Sequence, residues 1–325
     1  MSKIAVGLDS GCAFNKTAFL NEEQEWVETS TPSLVRSGRA NITLSGSQGY
    51  SYTCEGEQWT ADDNAVDAED TRFDSFSYST LNTVLTHHTL NKLVTTQGLS
   101  KELSISTGLP LNHYFTEQGV NTNAIQRKHT ALQKPVEGSG IDLVCQQVCP
   151  EGLAGWVDAR IDRWGHEKAS QSHAVAVADI GGRTTDIGVV LPDYSLITEY
   201  TSTLSIGCLD IAAEANRLIS QRYGVGTINM LAMYQVLASG KIDLGQGKVQ
   251  DVTEETQQAT RTIAGRITRE IERLTGKVPH LEGFCYLGGG AEQLKPFLTG
   301  HSTFIPERPR FANARGFLKI MQHLS

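Results

Sequence analysis

Ala174-Val175-Ala176-Val177-Ala178-Asp179-Ile180-Gly181-Gly182-Arg183-Thr184-Thr185-Asp186-Ile187-Gly188-Val189-Val190 reads as a strand, a tight glycine turn and a second strand. The first strand, residues 174–178, is small and apolar throughout, as a strand buried on both faces would be. Asp179 closes it at the lip of a sheet. Gly181 and Gly182 admit positive φ and let a ligand approach the backbone closely. Thr184, Thr185 and Asp186 restart the chain, and Ile187 to Val190 is strand again. The backbone N–H groups of such a turn form an anion-binding concavity. A carboxylate beside it suits Mg²⁺ held through waters. An ordinary hairpin with a two-glycine turn has the same letters.

The chain carries the plan twice. Ile4-Ala5-Val6-Gly7-Leu8-Asp9-Ser10-Gly11-Cys12-Ala13-Phe14-Asn15-Lys16-Thr17-Ala18-Phe19-Leu20 is again an apolar strand, Asp, any residue, Gly, a short turn and a strand. Asp9 and Asp179 lie 170 positions apart, about half the chain. The duplicated unit predicts two similar domains, each offering a hairpin to the phosphates of a ligand between them. Lys16 starts the second strand of its hairpin, where a lysine reaches β- and γ-phosphates as a compact charge. The alternative is a solvated strand lysine.

The two hairpins resemble the phosphate-1 and phosphate-2 loops of the actin, DnaK-type chaperone and sugar-kinase superfamily. Gly288-Gly289-Gly290-Ala291-Glu292, after apolar Phe284 to Leu287, is similar to the superfamily's adenosine turn. Within the superfamily the chain resembles the plasmid-segregation actins of the ParM/StbA type. Ser106-Thr107-Gly108-Leu109-Pro110-Leu111, then Tyr114 and Ile125-Gln126-Arg127-Lys128, is similar to that family's Leu-Pro-Leu…Tyr…Ile-x-Arg-Lys region. Tyr52 to Trp59 resembles its small-subdomain hairpin, and Val148-Cys149-Pro150-Glu151-Gly152 its Pro-Glu segment. The resemblance runs in order from about residue 3 to about residue 292. Tyr223 to Asp251 and the last residues match nothing in it.

This resemblance implies an α/β, actin-like fold, with two related domains around a nucleotide cleft and a small subdomain on each. The expected limits are residues 1–165 for domain I, with a β-rich subdomain at about 32–79. Domain II is expected at 166–308 with a subdomain at about 215–255, and a helix at 309–325 returning to domain I. The implied cofactors are ATP or ADP with Mg²⁺, and GTP is admissible because the base is gripped mainly by shape. Asp9 and Asp179 would organise the hydrated metal. Ser10, Gly11, Lys16, Gly181, Gly182 and Thr184 would hold phosphates. Glu151 would orient the attacking water, with Asp179 as the second catalytic residue. Gly207, Gly288, Gly289 and Gly290 would border the nucleotide. Arg183 departs from a plain Gly-Thr-Thr turn; it either contacts phosphate or points to solvent. A helix N-terminal glutamate is the alternative for Glu151.

The implied function is an ATPase that polymerises into dynamic filaments for plasmid DNA segregation, plasmid-encoded and in the bacterial cytoplasm. The implied partners are further copies of the chain and a DNA-binding adaptor at a centromere-like site, with no direct nucleic-acid or membrane binding. The fold also serves kinases and chaperones. A small-metabolite kinase and a non-polymerising scaffold ATPase are therefore the alternatives, although no sugar-kinase signature is present and the chain is short for one.

Composition narrows the classes further. At 325 residues two domains are the default. A net charge of −8 opposes nucleic-acid binding through a general basic face. The six cysteines, at 12, 54, 145, 149, 208 and 285, lack zinc-like spacing and read as free thiols of a reducing compartment. No basic-then-apolar leader is expected, and no apolar run reaches the roughly 18 residues of a membrane span.

Local patterns place the remaining elements. Tyr78 to Gln97 predicts a helix with one apolar face, its His87-His88 pair serving packing or capping. Asp62-Asp63 and Asp67 to Asp70 read as an acidic loop without EF-hand spacing. Leu103 to Ser106 predicts a strand ended by Gly108-Leu109-Pro110, and Leu143 to Cys149 one broken by Pro150. Asp210 is expected as an N-cap. Val252 to Leu274 predicts a helix with the stripe Ala259, Ile263, Ile267 and Ile271, Thr253 as cap and Gly276 as stop. Phe317 to Leu324 predicts a short amphipathic helix.

Overall fold

The first hairpin pairs β1 (Ile4–Ser10) with β2 (Phe14–Leu20) so that Asp9 stands opposite Lys16 and Ser10 opposite Asn15. These elements come from a computed structural model that describes residues 3–39, 42–43, 46–47, 49–62, 67–168, 170–245, 247–298 and 302–324. β3 (Trp26–Pro32) extends the hairpin beyond β2. The chain then forms β4 (Val35–Ser37), β5 (Tyr50–Cys54) and β6 (Glu57–Ala61), three strands of a small separate sheet. In the acidic loop, Asp63 lies outside the described residues. Asp67 faces Arg36, and Asp70 is gripped by both ends of the Arg72 guanidinium at 2.9 Å.

α1 (Thr80–Gln97) begins where Ser79 accepts the N–H of Asn82 and ends at Gly98, whose φ of 66° only glycine takes freely. One apolar face was expected; the helix is instead buried almost all round. It is sandwiched between sheets. Leu81, Val84 and Leu85 pack on Val35, Tyr52 and Ala61 of the small sheet, while Leu90, Leu93 and Val94 pack on Val6, Leu8 and Ile105 of the large one. Both histidines of its buried polar set find partners inward. His87 Nδ1 meets Ser139 Oγ at 2.9 Å, and His88 Nδ1 meets the Tyr52 hydroxyl at 3.1 Å.

β7 (Glu102–Leu109) runs parallel to β1. It continues through Gly108 and Leu109, so only Pro110 ends it. α2 (Leu111–Tyr114), α3 (Thr122–Leu132) and β8 (Val136–Glu137) lead to β9 (Asp142–Pro150), parallel to β7, and then to α4 (Leu153–Arg160). The first large sheet has the order β9-β7-β1-β2-β3, and β8 joins the small sheet beside β5.

The second half repeats this plan. β10 (Val175–Ile180), buried along its whole length, pairs antiparallel with β11 (Thr185–Val190), placing Asp179 opposite Asp186. β12 (Ser202–Leu204) lies outside β11. α5 (Cys208–Tyr223), α6 (Met230–Ser239) and α7 (Thr253–Thr275) follow, then β13 (Gly283–Leu287), which runs parallel to β10. α8 (Gly288–Leu294) and β14 (Thr303–Phe304) complete a sheet of order β12-β11-β10-β13-β14. Each large sheet is thus an outer strand, an antiparallel hairpin and two parallel strands. The stripe of Ala259, Ile263, Ile267 and Ile271 packs on Ile211, Ala215 and Ile219 of α5.

Two caps differ from expectation. Thr253 is the first helical residue of α7, and its N–H is taken by the Asp251 carboxylate at 2.9 Å. α5 starts at Cys208, so Asp210 sits three residues into the helix and reaches back to accept the N–H of Gly207 at 2.8 Å.

α9 (Ala312–His323) lies against β1, β2 and α4. A Cβ on Gly316 would sit 1.9 Å from the Ala154 carbonyl oxygen, so the helix approaches as closely as backbone allows. Buried ion pairs fasten it. Asp158 of α4 receives Arg315 Nε at 2.8 Å and Lys319 Nζ at 2.6 Å, and Arg315 also pairs with Glu28 of β3. No helix among the described residues is long and apolar enough to cross a membrane. The six cysteines are free thiols.

Candidate functional site

Each hairpin turn meets the other. A Cβ on Gly182 would lie 2.9 Å from that of Ala13 in the first turn. Between the two halves opens a cleft bordered by Asp9, Lys16, Glu151, Asp179, Thr184 and Asp186.

Strand register sets its chemistry. Because Lys16 stands opposite Asp9, its Nζ reaches Asp9 Oδ2 at 2.8 Å. Burial alone would loosen the Lys16 proton; Asp9, Asp179 and Glu151 outweigh it and hold the ammonium charged. Asp179 Oδ2 accepts from Asn313 Nδ2 at 2.6 Å. Burial, with Asp9 adding its repulsion, pushes Asp179 up to about 6. Gly288, at φ 78°, lies against it: a Cβ there would fall 2.4 Å from Asp179 Oδ1.

Glu151 follows β9 directly, its N–H held by the Leu109 carbonyl at 2.9 Å. Gly152, at φ 73°, turns the chain into α4. The Gly152 N–H donates to Asn313 Oδ1 at 3.0 Å. One side chain from α9 therefore fixes both Asp179 and the turn that carries Glu151. Burial and the neighbouring Asp9, Asp186 and Asp179 raise Glu151 well above the usual carboxylate range. Asp186 is pushed up to about 7, chiefly by burial. It accepts the N–H of Leu111, from the other half, at 3.1 Å and the Thr203 hydroxyl at 2.5 Å.

In the second turn, the N–H of Gly181 is spent on the Thr184 carbonyl at 2.8 Å. Those of Gly182, Arg183 and Thr184 make no hydrogen bond among the described residues. Behind the turn, the carbonyls of Gly181 and Gly182 receive the N–H groups of Cys208 and Leu209 at 3.0 and 2.8 Å, docking the start of α5.

Most of the expected residues border the cleft: Asp9, Ser10, Gly11, Lys16, Glu151, Asp179, Gly181, Gly182, Arg183, Thr184 and Gly288. Gly207 does not. A Cβ on it would meet the Gly182 and Gly181 carbonyl oxygens at 2.4 and 2.6 Å, so its smallness serves the docking of α5 behind the turn. Gly290 packs on Ile180, and Gly289 faces open space beside the cleft. Arg183 borders the cleft. It pairs with Asp74 of the other half at 2.5 Å. Asp186, Asn313 and Asp74 border the cleft without having been singled out from sequence, and Lys128 touches it through Ser10.

The donor set fits a phosphate chain with a hydrated cation. Asp9 and Asp179 each give one oxygen to a side chain, Lys16 and Asn313, and both carboxylates border the cleft. No group of three or more His, Cys, Asp or Glu among the described residues forms a direct metal cage. Any cation here would be held by water and by the ligand's own oxygens.

Residues 4–159 match the family model described as plasmid segregation protein ParM, N-terminal, and residues 177–300 that of the archaeal actin homologue MreB-like, C-terminal. No curated protein matches the chain by sequence. Among solved structures it resembles Ta0583, an archaeal actin homologue, at 18% identity over 98% of this chain and 99% of that one, with a TM-score of 0.72. It resembles a 15-stranded ParM filament from Clostridium botulinum at 18% identity over 99% of both chains, TM-score 0.70. A third likeness is to Bacillus thuringiensis ParM with AMPPNP, at 14% identity over 100% of this chain and 99% of that one, TM-score 0.70.

Proposed function

We propose that this chain, an actin-like protein whose N-terminal half is of the ParM/StbA kind, hydrolyses a nucleoside triphosphate, ATP by preference, and assembles into filaments that segregate plasmid DNA. The observation that carries the nucleotide reading is the pair of strand–Asp–Gly hairpins facing one cleft, with Lys16 and Glu151 between them. The filament reading rests on the ParM-type N-terminal half and on the ParM filament among the similar structures. The expected partners are further copies of the chain and a DNA-binding adaptor, in a bacterial cytoplasm.

In this mechanism the free N–H groups of the second turn and Lys16 bind the phosphates. Asp9 and Asp179 would hold hydrated Mg²⁺, which when bound would supply positive charge to the phosphates. Glu151 orients a water in line with the γ-phosphate. Its raised proton affinity lets it take the water's proton as the new P–O bond forms and the bond to ADP breaks. Asn313 keeps Asp179 and the Glu151 turn in one geometry.

The test is right-angle light scattering with sedimentation after ATP–Mg²⁺ is added to the protein and to a Glu151→Ala variant. The wild type should scatter and then decay as phosphate is released; the variant should assemble and persist. Steady hydrolysis without scattering by either protein at any concentration would sink the filament reading and favour a metabolite kinase or scaffold ATPase.

A further inference from the structure

Lys128 is fully buried, and none of the roles above uses it. α3 delivers it beneath the first phosphate turn, where its Nζ meets Ser10 Oγ at 3.0 Å and Asn82 Oδ1 at 2.8 Å. Neither partner is charged. Burying an ammonium against two neutral acceptors is costly, and an apolar side chain of the same length would fill the space more cheaply. Burial has already pushed Lys128 down to about 8.

The chemistry of the contact is directional. An ammonium has only donors, so Lys128 must occupy a lone pair of Ser10 Oγ. The single hydrogen of that hydroxyl then has to point elsewhere. Among the described residues no acceptor takes it, and Ser10 borders the cleft.

We infer that Lys128 is a positioning residue for the phosphate end of the cleft: it commits the Ser10 hydroxyl to donate, and the acceptor is an anionic oxygen of the bound ligand. The inference rests on the nucleotide reading above. It adds a side-chain donor to the first turn, polarised by a cation that never touches the ligand. Asn82 anchors the other side of the ammonium to α1, so the setting of Ser10 is tied to a helix wedged between two sheets.

The test is a calorimetric titration of ATP–Mg²⁺ into the wild type, Ser10→Ala, Lys128→Met and the double variant, with melting temperatures recorded alongside. Each single variant should bind ATP about tenfold more weakly, the worth of one charge-assisted hydrogen bond. The double variant should be no weaker than either single, because both remove the same donor. If Lys128→Met does not fold, Lys128→Leu replaces it, being neutral and unable to donate to Ser10. A Lys128 variant that melts lower but binds ATP like the wild type would reduce Lys128 to a structural role and overturn the inference, as would fully additive losses. If the wild type itself binds no ATP, the nucleotide reading falls first and this inference with it.

Discussion

Lys16 and Asp186 occupy the same register position in the two hairpins, each opposite the aspartate one residue before the end of the first strand. Lysine neutralises its partner; aspartate adds to a carboxylate crowd that includes Asp179 and Glu151. The cost should be visible as pH dependence. Asp186 is raised from its ordinary range to about 7, so the stability linked to its proton is complete below pH about 4 and lost as pH rises through 7. Asp186→Asn lacks that titration and keeps an acceptor for Leu111. Its advantage in urea unfolding should widen from about pH 4 to about pH 7, by up to about 1.4 kcal/mol for every pH step of one, and level off above. A constant gap would contradict the assignment. Asn313→Ala should act differently. It strands Asp179 Oδ2 and the Gly152 N–H together, costing about 1–3 kcal/mol in thermal unfolding and lowering ATP turnover at least tenfold. The two Asp-x-Gly turns and Glu151 were legible because each sits at a strand end with glycine beside it. Asn313 was not, being 134 positions from Asp179 on a helix with no motif around it. Asp186 had a signal in principle: a strict antiparallel register across the Gly-Gly turn puts it beside Asp179.

Helices show what periodicity can and cannot report. α7 was readable because one side packs on α5 and the other faces solvent. α1 is buried on two sides where one was expected, since Thr83 and Thr89 look like a solvated face but pair with the Ala131 carbonyl and Asn15 inside a two-sheet sandwich; its His87-His88 pair packs as expected. α9 hides more. Phe317 and Leu318 mark its apolar side, yet Arg315 and Lys319, which sequence would assign to solvent, are buried on Asp158. Removing the carboxylate leaves both cations in a low-dielectric site. Asp158→Ala should therefore cost about 3–5 kcal/mol in denaturant unfolding. Lys319→Met should cost much less, because Arg315 still pairs with Asp158 at 2.7 Å and the methionine stem fills the space. Equal losses from the two would mean that packing, rather than charge, holds α9.

At the scale of the molecule the duplicated sheet plan was visible in the 170-residue offset of two short motifs, while the setting of the halves was not. That setting depends on single side-chain contacts between distant positions, such as Asp186 to Leu111, Phe14 to Tyr234 and Arg183 to Asp74. The last of these lies at the mouth of the cleft. Asp74 is almost fully exposed, so the pair adds little to folding stability. Its influence is on the ligand. Asp74 holds the one guanidinium of the second turn and places a negative charge beside an anion-binding cleft. Asp74→Ala should leave the melting temperature nearly unchanged and, by freeing Arg183, tighten ATP binding several-fold at low salt. Exposed charges are screened within about 8 Å at physiological ionic strength, so the gain should shrink as salt is added. Arg183→Ala should weaken binding under the same conditions. Weaker ATP binding by Asp74→Ala would assign the pair the opposite role, a clasp that holds the two halves close enough for both turns to reach one phosphate chain.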